Sequence, residues 1–307
     1  MSISIIYEKQ VSLLLDVLPI VSKENMFAVK GGTAINLFVR DMPRLSVDID
    51  LTYLPVAPRE ETLKEISAAL ERIANNISHI LPNTTAVKIY NVKNKRLNKL
   101  LIKSQGVQIK IEPNEILRGT VFPISKRRLC ESAKQYFKRD VVNLALLSFA
   151  DLYAGKLCAA LDRQHPRDLF DVKLLLENEG LTDEIRQAFV VYLACHSRPM
   201  HELLNPNFSD INTVFEKEFN GMSLIETDVG MLENARKKLV LLINRTMTGN
   251  ERHFLLSIKQ GEPNWELLPG LDIKNLPALQ WKIINIYKIE KKKRKTLEEK
   301  LIKVLQL

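Results

Sequence analysis

The stretch GGTAINLFVRDMPRLSVDIDL, residues 31–51, decides how this chain is read. Its end, Ser46-Val47-Asp48-Ile49-Asp50-Leu51, alternates polar and apolar residues with a period of two, the pattern of a strand with one polar face. Residues i and i+2 of a strand project to the same side, so Asp48 and Asp50 can reach one cation. Two carboxylates with open coordination positions suit Mg²⁺, which keeps waters and takes phosphate oxygens as further ligands. The beginning of the stretch follows a short apolar run, Met26 to Val29, expected as a buried strand. Gly31 and Gly32 break that run, and Thr33 to Arg40 fits a helix with Thr33 near its N-terminus. A Gly-Gly turn there exposes backbone N–H groups, an anion site for a triphosphate. Gly32 and Thr33 are accordingly expected to bind the β- and γ-phosphates, with Gly31, Arg44 and Ser46 completing the nucleotide site. Each piece alone is commonplace, since a D-x-D is often a solvated strand face and a Gly-Gly is more often just a turn. Their joint spacing is what points to phosphoryl or nucleotidyl transfer. Neither a Walker A lysine motif nor G-x-G-x-x-G is present, which argues against a P-loop or dinucleotide fold.

Outward from this centre the first half alternates strands and helices. Val11 to Ile20 and Glu60 to Ile80 read as helices, the second amphipathic. Ser46 to Leu54, Ala86 to Tyr90, Leu100 to Lys103 and Val107 to Ile111 read as strands, the last two joined as a hairpin through Ser104, Gln105 and Gly106. In the last of these, Glu112 shares a face with Gln108 and Lys110, which makes it the candidate third carboxylate. It would hold a metal or accept the proton of an attacking hydroxyl; the alternative is a strand-end glutamate in solvent. After about residue 140 the periodicity turns helical, over Val141 to Leu161, Arg167 to Asn178, Asp183 to Cys195, Leu232 to Asn244 and Leu276 to Ile289. The expected architecture is α+β: a mixed-sheet domain over residues 1–140 and an α-helical domain over 141–307 with a basic C-terminal tail.

The stretch 31–51 resembles the first motif of the AbiEii/AbiGii toxin family, bacterial nucleotidyltransferases within the polymerase-beta-like superfamily. Gly-Gly-Thr in the turn, where that superfamily usually has Gly-Ser, is similar to the toxin branch. KLCAALDR at 156–163 and RDLFD at 167–171 resemble the family's second conserved block, so the resemblance covers roughly residues 25 to 180. It implies that Lys156 reaches the triphosphate and neutralises charge as pyrophosphate leaves. Asp168 and Asp171 would orient Lys156 or bind nucleotide together with Arg167, although Arg167 and Asp171 also have the spacing of a plain helix ion pair. The resemblance further implies an NTP substrate, an RNA acceptor such as the 3′ end of tRNA, and a neighbouring-gene antitoxin as partner. The rivals are a nucleotidyltransferase acting on a small molecule or protein side chain, and a non-catalytic nucleotide- or RNA-binding protein of the same fold.

Composition narrows the setting. At 307 residues and 46% hydrophobic the chain can bury its own core without staples. Cys130, Cys158 and Cys195 are scattered, and no apolar run is long enough to span a bilayer, so a cytoplasmic protein with no membrane contact is expected. Cys195, His196 and His201 lack zinc spacing. The net charge of +9 concentrates in three basic blocks, over Lys88 to Lys103, Lys126 to Arg139 and Lys288 to Lys303, which suit a polyanionic partner. Solvated faces are the plainer explanation of each block.

Overall fold

A computed structural model describes residues 3–307. The chain divides into two compact units, one running to Ser148 and taking in Asn220–Glu226, the other formed by Phe149–Phe219 and Thr227–Leu307.

The first unit contains helix α1 (Ile5–Val21), strand β1 (Phe27–Lys30), helix α2 (Gly31–Ala34), strand β2 (Asp48–Tyr53), helix α3 (Arg59–Ile80), strands β3 (Thr84–Tyr90), β4 (Leu97–Ser104), β5 (Val107–Asn114) and β6 (Ser125–Arg127), helix α4 (Glu131–Phe137) and strand β7 (Leu144–Leu146). Among the described residues seven strands make one sheet in the order β3-β4-β5-β2-β1-β7-β6. It is mixed: β2 pairs with β5 and β1 with β7 in parallel, while the other neighbours are antiparallel. The β4–β5 hairpin turns through Gln105 and Gly106, both at positive φ (46° and 79°), where glycine carries no steric cost. The apolar stripe of α3, Leu63, Ile66, Leu70, Ile73 and Ile77, recurs every three or four residues and is buried against β3 and β4.

The second unit is helical among the described residues: α5 (Phe149–Asp162), α6 (Pro166–Asn178), α7 (Asp183–Cys195), α8 (Met200–Leu204), α9 (Asn212–Glu218), α10 (Val229–Thr246), α11 (Gly249–Gln260), α12 (Pro277–Tyr287) and α13 (Lys291–Leu305), with one 3₁₀ turn at Trp265–Leu267. Side-chain caps open several of these helices. Thr182 caps α7, Asp228 caps α10, and Thr248 with Glu251 forms a capping box on α11. Leu157, Phe170, Phe189, Leu239 and Phe254 fill the interior.

The α+β class expected from the sequence is the one found. Three local expectations differ. The strand before the glycines extends to Lys30, and the helix behind them starts at Gly31, its last five residues, Ile35–Val39, widening into a π turn. Strands do not stop at 140, because Leu144–Leu146 pairs with β1 and β6, and the helix expected from Val141 begins only at Phe149. A single cut at residue 140 also misses Asn220–Glu226, which belongs to the first unit. There Leu45 donates its N–H to the Met222 carbonyl at 2.9 Å, and Leu224 donates to Pro43 at 2.9 Å. Among the described residues no helix is long and apolar enough to cross a membrane.

Candidate active site

Strand register assembles the polar centre. Lys30 on β1 lies opposite Asp50 on β2, and Asp50 lies beside Glu112 on β5. Lys99 on β4 holds Glu112 from the other side, its Nζ 2.9 Å from Oε1. One transverse row, Lys99–Glu112–Asp50–Lys30, therefore crosses four adjacent strands. Asp48 occupies the next row along β2 and pairs in register with Lys110, whose Nζ reaches back to Glu112 Oε2 at 2.9 Å. The intervening Ile49, Leu51 and Ile111 point the other way and are fully buried. This alternation puts every charge on one face. Asp50, Glu112, Lys30, Asn98, Asn114 and Ile116 line a cleft of about 340 Å³.

Charge and burial oppose one another here. Partial burial pushes the Glu112 carboxyl up, but the Lys99 and Lys110 ammonium groups outweigh it and hold Glu112 below its usual range. Burial lowers Lys110 in turn, and Glu112, Asp48 and Asp50 more than offset that, so its ammonium is held above the ordinary lysine range. Glu112 is thus ionised at neutral pH, with both oxygens on lysines. Among the described residues no three His, Cys, Asp or Glu side chains are gathered closely enough to cage an ion. Asp48, Asp50 and Glu112 share a face, as the sequence leads one to expect, but they do not converge as a ready set of ligands.

The glycine turn lies directly against these carboxylates. Gly31 has φ +71°, and a Cβ there would sit 2.6 Å from Asp50 Oδ2. A Cβ on Gly32 would sit 2.7 Å from Ser46 Oγ and 2.8 Å from the Arg44 guanidinium. Both positions need glycine for close approach. Three residues expected at the nucleotide are instead packed beneath the turn. Thr33 is completely buried, its hydroxyl donating to the Asp48 carbonyl and bonding Ser46 Oγ at 3.1 Å. Ser46 is buried as well, and Arg44, 2% exposed, donates to the Leu45 carbonyl at 2.8 Å. Thr33 fastens the turn to β2 through the Asp48 carbonyl, with Ser46 and Arg44 packed against Gly32. What the turn can offer an anion is backbone.

Within the helical unit a second polar cluster joins α5 and α6. Lys156 Nζ lies 2.8 Å from Asp168 Oδ1 and 3.0 Å from Asp171 Oδ2, and all three side chains are buried. Arg163 adds Nε–Oδ2 and Nη2–Oδ1 bonds to Asp168 at 2.5 and 3.1 Å. Burial pushes the Asp168 carboxyl up, but Lys156 and Arg163 overcome it and hold Asp168 far below the usual carboxylate range. The (i, i+4) pair of Arg167 with Asp171 is not made: Asp171 turns to Lys156, and Arg167 reaches Glu218 at 3.5 Å. His165 caps α6, its Nδ1 accepting the Arg167 N–H at 3.1 Å. Burial lowers its imidazole pKa, which the Glu218 hydrogen bond only partly offsets.

The match to known proteins completes the assignment. The model of a family described as "Nucleotidyl transferase AbiEii toxin, Type IV TA system" matches residues 12–275, most of the chain. The chain belongs to the AbiEii nucleotidyl transferase toxin family. It is a nucleotidyltransferase and the toxin of a type IV toxin–antitoxin pair, which implies an antitoxin partner and an NTP substrate. Its fold is similar to that of MenT4, a nucleotidyltransferase toxin from Mycobacterium tuberculosis, with a TM-score of 0.60 at 12% identity over 90% of this chain and 93% of that one. No match is found among curated protein sequences. Sequence reasoning missed Lys30, Lys99, Lys110 and Arg163. Lys110 had a visible signal, its place on the Glu112 face, whereas the pairing of Lys30 and Lys99 depends on cross-strand register that no local pattern reveals.

Proposed function

We propose that this toxin transfers a nucleoside monophosphate from an NTP to a hydroxyl of RNA, with the 3′ end of tRNA as acceptor and Mg²⁺ as cofactor. The observation that carries the reading is the run of Asp48, Asp50 and Glu112 on one sheet face beside a glycine turn that admits no side chain. The donor set fits Mg²⁺: hard oxygen ligands from Asp48 and Asp50 on one side, with positions left for water and phosphate. The ion would supply Lewis acidity and alignment at the α-phosphate. Glu112, held ionised by Lys99 and Lys110, suits a ligand better than a base, because a carboxyl with a depressed pKa accepts a proton poorly. The acceptor oxygen forms its bond to the α-phosphorus as the bond to the β-phosphate oxygen breaks, and the hydroxyl proton passes to solvent. Pyrophosphate leaves with its charge met by Lys156, which Asp168 and Asp171 position, while Arg167 contributes to nucleotide binding. A lysine buried between two aspartates is expensive to desolvate, which is what a functional arrangement tolerates more readily than a structural one. Backbone of Gly31 and Gly32 receives the phosphates, braced by Thr33, Ser46 and Arg44. On this reading the sheet unit carries the metal, and transfer takes place in the cytoplasm, where NTPs and tRNA meet. The test is to incubate the protein with Mg²⁺, total RNA and each α-labelled NTP in turn. Label at RNA 3′ ends, abolished by EDTA, is expected; label on protein or small molecules alone would replace the acceptor.

A further inference from the structure

The three basic blocks of the sequence look alike, but the structure separates them. In the first, three of the six cations are paired, Lys88 with Glu71, Arg96 with Glu60 and Lys99 with Glu112, while Lys93, Lys95 and Lys103 are exposed. In the second, again three of the six are paired, Arg128 with Asp140, Lys134 with Glu131 and Asp140, and Arg139 with Asp16, while Lys126, Arg127 and Lys138 are exposed. In the third, over residues 288–295, six cations face one acid, Glu290, and among the described residues none of the six forms an ion pair. Lys288, Lys291, Lys292, Lys293 and Lys295 are all exposed. Helix formation does not account for them, since cations in the opening turns of a helix oppose its dipole and acids are the favoured residues there. Packing does not either, because α13 is buried through Leu301 and Leu305 near its far end.

Large aromatic surface adjoins these charges. Trp281 is 48% exposed and Tyr287 61% exposed, and the Lys288 ammonium stands 5.3 Å from the Trp281 ring centre. These rings are held in place. Ala278, Leu279 and Ile286 bury the inner face of α12, Lys282 donates to the His196 carbonyl, and Tyr287 donates through its hydroxyl to the Gly261 carbonyl at 2.7 Å. Fixed aromatic faces beside a dense row of free lysines are the two elements of a stacking platform with a backbone grip. The family match ends at residue 275, so α12 and α13 lie outside the span this chain shares with its family model.

We infer that the α12–α13 surface binds RNA, its lysines neutralising phosphates and Tyr287 and Trp281 stacking on unpaired bases. The inference rests on the reading that the acceptor is RNA, and adds a surface of this chain's own that retains it. The test uses the full chain and a fluorescein-labelled tRNA, with affinity followed by anisotropy at several salt concentrations. Wild type should show a steep log–log salt dependence. Changing Lys288, Lys291, Lys292, Lys293 and Lys295 together to Gln should flatten that slope by up to about 3.5, at ~0.7 per lost phosphate contact, and the all-Arg counterpart should restore it. Tyr287→Ala should weaken binding about tenfold with the slope unchanged. A steep slope that survives the five Gln substitutions would overturn the surface while leaving an RNA acceptor intact, and would hand the patch to an acidic protein partner. A wild type that labels no RNA and shows no salt-dependent binding would overturn the acceptor reading and this inference together.

Discussion

Adding one methyl group to Gly31 is the smallest change that interrogates the centre. Its φ of +71° is strained for any other residue, and the new carbon would sit 2.6 Å from Asp50 Oδ2. Gly31→Ala should therefore cost ~1–3 kcal/mol of stability in thermal unfolding. It should also lower transfer by about 10²-fold, the scale of an ångström's misplacement at a reacting centre. A stability loss with unchanged turnover would detach the turn from the chemistry. At this scale the sequence is informative where period alone decides. Asp48 and Asp50 had to share a face, and Ile49 had to oppose them. It is uninformative where depth decides. Thr33, Ser46 and Arg44 looked like nucleotide contacts because they flank the glycines, yet all three are buried beneath the turn. Nothing in a polar residue's position along the chain says whether its hydroxyl faces solvent or the Asp48 carbonyl.

At the level of elements, the cluster between α5 and α6 makes a pH prediction. The Asp168 carboxyl is held below its ordinary value of 3.8 in the folded chain, so it contributes stability above the unfolded value and loses it as pH falls through the folded one. Asp168→Asn should lower the midpoint of thermal unfolding at pH ~7, and the gap to wild type should close as pH falls below about 4. A gap independent of pH would mean that shape, not charge, is what Asp168 supplies. Lys156→Ala should be harsher, costing ~3–5 kcal/mol, because it strands two carboxylates in the interior. Its activity must therefore be measured well below its own unfolding midpoint. The helices carrying this cluster were legible from periodicity, although α5 begins at Phe149 and not at Val141. Strand β7 was not, since three residues of an apolar run, Leu144–Leu146, carry too little period to separate strand from helix, and only their pairing with β1 and β6 decides.

Across the whole molecule the excess of nine positive charges is less telling than its bookkeeping. In two of the three blocks half of the cations are paired with acids, among them Glu60, Glu71, Glu112 and Asp16, which only the fold brings near. Substituting Arg96 and Lys99 with Gln should accordingly alter the salt dependence of RNA binding less than the same change at Lys291 and Lys292. The thiols follow burial in the same way: Cys195 is pushed up to about 12 and Cys130 to about 11, so a thiol reagent at pH ~8 should label the native protein far more slowly than the unfolded one. The central proposal is that Asp48 and Asp50 carry catalysis. The most direct measurement is incorporation of α-labelled NTP into RNA by wild type, Asp48→Asn and Asp50→Asn at matched fold stability. A fall of at least about 10²-fold in both variants, not restored by excess Mg²⁺, is predicted; near-wild-type incorporation by either one would contradict the assignment of the metal-binding pair.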